Sequence, residues 1–93
     1  MAISVSPQPS DGPLRASGPN VTLSVSTPNG AILTAAIKTT SGTFIPIEHC
    51  ILNDGTTVLV LNLPPGGVPS GSTLILAFDE HPDSLTVVKY QLL

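Results

Sequence analysis

Charge is what this chain has least of. Only 10% of its 93 residues are Asp, Glu, Lys or Arg, against about 25% in ordinary soluble domains. The permanent cations are Arg15, Lys38 and Lys89, the formal net charge is −3, and no basic stripe exists to follow a phosphate backbone, which excludes nucleic acid as a partner. There is one cysteine, Cys50, so no intrachain disulfide can staple the fold and packing must hold it. Tryptophan is absent, with one Tyr and two Phe, so the chain has little of the flat aromatic surface that apolar ring faces need for stacking. No apolar run approaches the length of a membrane span. Met1, Ala2, Ile3, Ser4 and Val5 carry neither the positive flank nor the apolar stretch of a signal peptide. The chain therefore reads as soluble, with no membrane partner, and as cytoplasmic or part of a virion or similar particle.

What is present is β-strand chemistry. Residues 57–61, 73–78 and 85–90 are short apolar runs rich in β-branched or aromatic side chains, with Gly and Pro in the gaps, a pattern that predicts strands and not helices. Val21, Leu23 and Val25 alternate with Thr22, Ser24 and Ser26, the period of a strand with one face in a core and the other in water. Residues 3–6 form a further short strand candidate. Pro7, Pro9, Gly12, Pro13, Gly18 and Pro19 then make 7–20 an irregular crossing loop. Ala31 to Lys38 is another strand, and 43–47 and 50–52 are two shorter ones separated by Glu48 and His49, with Pro46 marking an edge.

Two turns, Asn29-Gly30 and Asn53-Asp54-Gly55, carry the chemistry of hairpins. The longer run from Leu63 to Ser72, with Pro64, Pro65, Gly66, Gly67, Pro69 and Gly71, predicts that its flanking strands lie in different sheets or are not direct neighbours. Residues 79–83 close the last two strands at hairpin length. Seven or eight short, mostly antiparallel strands with turns near every tenth residue and no helix-period segment predict an all-β sandwich, one domain over 1–93.

The order of signals resembles the immunoglobulin-like domains of the IPT/TIG kind. The resemblance rests on Val5, Ser6 and Pro7, on Gly12 and Pro13, on the Val21-Thr22-Leu23 strand, on Pro65 and Gly66 before the strand ending near Leu76, and on Tyr90 in the last strand. It implies an immunoglobulin-like sandwich that binds or spaces and carries no active site. It also keeps carbohydrate open as a ligand. An immunoglobulin-like topology would cross between sheets at Asn29-Gly30, where the turn chemistry by itself predicts a hairpin.

Two clusters could carry chemistry. Glu48, His49 and Cys50 are consecutive, and in a strand neighbouring side chains point to opposite faces, so His49 cannot reach the Cys50 thiol as its base. Cys50 is then a small packed hydrophobe and no catalytic residue is expected. Asp79, Glu80, His81 and Asp83 gather three of the six carboxylates and one of the two histidines in one turn. Oxygen-rich loops can hold calcium, but the spacing matches no known ligand set, so a solvated turn, with no metal or cofactor, is expected.

Core positions are expected at Leu23, Val25, Val60, Leu74 and Leu76. Val58, Leu59, Val60 and Leu61 are all apolar, as are Leu74, Ile75, Leu76 and Ala77, while a sandwich buries one face of each strand. Leu59, Leu61 and Ile75, or their alternates, should therefore face outward and be covered by another protein surface. The expected function is non-catalytic: a structural module that oligomerises or docks on a larger assembly, such as a virion. The alternative is a ligand-binding module for carbohydrate, or for calcium through the turn 79–83.

Overall fold

Strand pairing sorts the chain into two antiparallel sheets. The computed structural model describes residues 3–6, 8–14, 20–64, 68, 69, 71–80 and 84–92. Among these are seven strands: β1 (Ser4–Ser6), β2 (Asn20–Thr27), β3 (Ala31–Lys38), β4 (Phe44–Leu52), β5 (Gly55–Asn62), β6 (Thr73–Glu80) and β7 (Ser84–Gln91). One sheet has the order β1-β2-β5 and the other β4-β3-β6-β7. The all-β sandwich expected from the strand pattern is the observed fold.

Its core follows from period-2 alternation. Val21, Leu23 and Val25 of β2 are buried with Ala31, Leu33, Ala35 and Ile37 of β3 and Leu74, Leu76 and Phe78 of β6. Tyr90 and Phe78 are the largest fully buried side chains. A 3-10 turn, Pro9–Asp11, lies within the crossing stretch, after which Leu14 forms a parallel bridge with Leu92 and its amide donates to the Gln91 carbonyl at 2.8 Å. Residues 15–19 of that stretch lie outside the described residues.

The structure corrects the side of β5 that faces inward. Leu59 and Leu61 are 7% and 1% exposed and belong to the core, while Val60 is 52% exposed. Register explains it, since β5 pairs Leu59 with Leu23 and Leu61 with Val21, placing both on the buried face of β2, and sets Val60 opposite Thr22. A run of Val-Leu-Val-Leu is apolar on both faces and leaves parity open. Volume then decides, because burying two leucines removes more apolar surface from water than burying two valines. Ile75 does lie outward, half-buried between Ala36 and Lys89.

Strand β4 is also one strand, not two. Ala36 pairs with Pro46 and Ala35 with Glu48, so Ile47 is the extra residue of a bulge. The bulge shifts the alternation by one position. Ile47 packs on the core before it and Cys50 after it, which is why Glu48 and His49 look like a break when the sequence alone is read.

Neither turn, Asn29-Gly30 nor Asn53-Asp54-Gly55, closes a hairpin. β2 and β3 lie in different sheets, as do β4 and β5, so both turns carry the chain across the sandwich. The two crossings are fastened together: the buried Thr27 hydroxyl donates to the Asn53 carbonyl at 2.8 Å. Gly30 sits at φ +75 with an added Cβ only 2.9 Å from the Leu52 carbonyl oxygen. The corner thus needs glycine twice over, for its backbone angle and for the closeness of the second crossing. The passage from β5 to β6 also changes sheet, the first of the two outcomes its Pro and Gly content predicts. The hairpins are β3 to β4, closed by the Thr39 amide on the Thr43 carbonyl at 2.8 Å, and β6 to β7.

Candidate functional site

The outward side chains of the four-stranded sheet fall into four cross-strand rows. From β4 to β7 they read Ile51, Ile32, Asp79, Leu85; then His49, Thr34, Ala77, Val87; then Pro46, Ala36, Ile75, Lys89; then Phe44, Lys38, Thr73, Gln91. Ile51 is 77% and Leu85 66% exposed, and Phe44, Val87 and Ile32 are exposed as well. Positive charge sits at one end, in Lys38 and Lys89, and the Asp79 carboxylate at the other. The Lys38 ammonium lies 5.8 Å from the centre of the Phe44 ring, close enough for a cation–π contact.

The outward face of the three-stranded sheet has a different chemistry. Ser4 and Ser6 of β1, Thr22, Ser24 and Ser26 of β2 and Thr56 of β5 form hydroxyl-bearing rows, interrupted by Val58 and Val60. The two outer faces therefore differ: hydroxyls prevail on one, while the other carries exposed hydrocarbon with Lys38, Lys89 and Asp79 among it.

Glu48, His49 and Cys50 do not converge. A hydrogen bond of 3.0 Å joins His49 Nδ1 to Thr34 Oγ1 on the outer face, whereas Cys50 packs on the core side. Burial first, and the Glu48 carboxylate second, push the Cys50 thiol above its ordinary range. A nucleophilic thiol needs the opposite shift.

In the acidic turn, Asp79 is exposed and Glu80 half-buried at the end of β6. His81 and Asp83 lie outside the described residues. Among the described residues no three His, Cys, Asp or Glu side chains gather where they could hold a metal ion. Of the three aromatic side chains, Phe78 and Tyr90 are buried and Phe44 has Lys38 over its ring. Two open depressions, of about 160 Å³ beside Ser4 and Ser24 and about 220 Å³ beside Gly30 and Ile51, fall below the roughly 300 Å³ at which small-molecule pockets begin. Among the described residues no helix is long and apolar enough to cross a membrane.

No protein-family model, curated protein or solved structure matches the chain. The reading of its function rests on the surface itself. Sequence reasoning anticipated outward apolar residues but placed two of the three, Leu59 and Leu61, on the wrong side. It missed Ile51, Leu85 and Val87, although the alternation of Leu85, Val87 and Lys89 with Thr86, Val88 and Tyr90 in the sequence carried the signal.

Proposed function

We propose that the chain is a non-catalytic assembly module of immunoglobulin-like type that oligomerises or docks on a larger protein through the outer face of its four-stranded sheet. One observation carries this reading: of the seven large hydrophobic side chains exposed among the described residues, five, namely Ile32, Phe44, Ile51, Leu85 and Val87, lie on that one face. With strands about 4.8 Å apart and residues about 3.4 Å apart along them, the whole face covers on the order of 400 Å², with nine of its sixteen outward positions apolar. Exposed apolar side chains gathered on one face often mark a functional surface. Such a surface is better suited to another protein's surface than to a small ligand, because the depression beside Ile51 and Gly30 is open and only about 220 Å³. The crossings between sheets at β2 to β3, β4 to β5 and β5 to β6 support the resemblance to IPT/TIG-type domains.

Replacing Ile51 and Leu85 by Lys tests the reading. Both side chains are exposed, so the melting temperature should hold while the double variant becomes lighter in sedimentation, or stays dissolved where the parent precipitates. Equal mass and equal solubility up to millimolar concentration would overturn docking through this face.

A further inference from the structure

We propose that two copies of the chain pair through the free edges of β5, joining their three-stranded sheets into one continuous sheet about a two-fold axis. This rests on reading the chain as an assembly module, but it uses a different surface from the face above.

A sheet edge presents unpaired backbone N–H and C=O groups that only an extended chain can satisfy, and proteins that stay apart guard such edges. Three of the four edges here are guarded. β1 is three residues long. β4 carries Pro46, a bulge at Ile47, and Glu48. β7 has Leu14 bonded at its end and presents Lys89. β5 has eight residues, Gly55–Asn62, with no charge, no proline and no bulge in its register with β2. Among the described residues no strand pairs with its second edge.

The occupant is a second copy because the outward residues of β5 are self-complementary. In order they are Thr56, Val58, Val60 and Asn62: polar, apolar, apolar, polar. A two-fold axis at Leu59 sets Val58 opposite Val60 of the other copy and Thr56 opposite Asn62, matching like with like at all four positions. The same axis sets Leu59 against its own equivalent on the buried face, so both faces stay in register. No charge on β5 opposes itself, which an isologous contact would otherwise penalise.

The outer face supplies a second reason. Val58 is 65% and Val60 52% exposed, and their neighbours on β2 are Ser24 and Thr22. Nothing apolar in their own sheet covers them. In the pair each valine lies beside a valine of the other copy, at the roughly 5 Å Cβ separation of directly opposed residues.

The test is made in the Ile51→Lys, Leu85→Lys background, which removes the apolar face from the measurement. There the chain should still sediment as a dimer at micromolar to millimolar concentration. Adding Val58→Lys and Val60→Lys sets like charges opposite one another in both pairs, and the mass should halve. Adding Val58→Lys and Val60→Glu instead sets opposite charges together in both pairs, and the dimer should return. Melting temperatures in dilute solution should be equal for all three, since both positions are exposed. A monomer in the parent background overturns β5 pairing, as does a dimer that survives the Lys/Lys change. A Lys/Glu variant no more dimeric than the Lys/Lys variant overturns the two-fold register. Docking through the four-stranded face stands or falls separately, on the Ile51 and Leu85 substitutions alone.

Discussion

Two residues give the fold a dependence on alkaline pH. Tyr90 and Cys50 each bind their proton more tightly in the folded chain, Tyr90 through burial first and the Asp11 carboxylate second, Cys50 through burial first and Glu48 second. Both are neutral when protonated, so the fold favours the neutral form and the unfolded chain gives up the proton first as pH rises. Stability is therefore complete below the ordinary values of about 8.5 for a thiol and about 10 for a phenol, and falls as pH climbs through them towards the folded values. The urea midpoint should hold at neutral pH and drop between about pH 9 and 11, and Tyr90→Phe with Cys50→Ala should flatten that drop. A midpoint as steep in the double variant as in the parent would show that the loss comes from elsewhere. At this scale the sequence was legible where the answer depended on a residue and its direct neighbours. That His49 and Cys50 would turn away from each other needed only strand geometry. The partner of His49 on β3 could not be foreseen, because Thr34 lies opposite it only through a register that the bulge at Ile47 shifts.

At the scale of the strand, existence was legible and allegiance was not. Alternation and β-branched content located β2, β3, β6 and β7 because those signals are local. Sheet membership is decided by what the buried faces meet, and Asn-Gly specifies that the chain turns without specifying what the two arms then pair with. The fate of β5 shows the same limit, since its pattern fits either parity and only packing against Leu23 and Val21 chooses one. The choice is measurable by truncation. Leu76→Ala empties a fully buried site and should cost about 2–5 kcal/mol, whereas Val60→Ala removes an outward side chain and should fall within about 0.5 kcal/mol of the parent. If chemical denaturation found the two equally damaging, the inward face of β5 would be misassigned.

At the scale of the molecule, the two outer faces differ in chemistry. One is dressed in serine and threonine, the other in exposed aliphatic groups, and the composition alone could not say which strands would share a face. The fastened pair of crossings at Thr27 and Asn53 has a further consequence, for the order in which the structure can form. Because β2 pairs with the short β1 and with β5, and β3 with β4 and β6, the three-stranded sheet cannot close until the chain has returned from a long excursion through the other sheet. The entropy of closing those loops is lost before the contacts that reward it are made. The two local hairpins cannot mature alone, since each has its apolar face open until the opposite sheet arrives. Refolding followed by rapid mixing should then be slow for so small a chain, on the order of milliseconds to seconds, with one exponential phase. Microsecond refolding would mean that one sheet stands without the other, and that the crossings join finished halves instead of creating them.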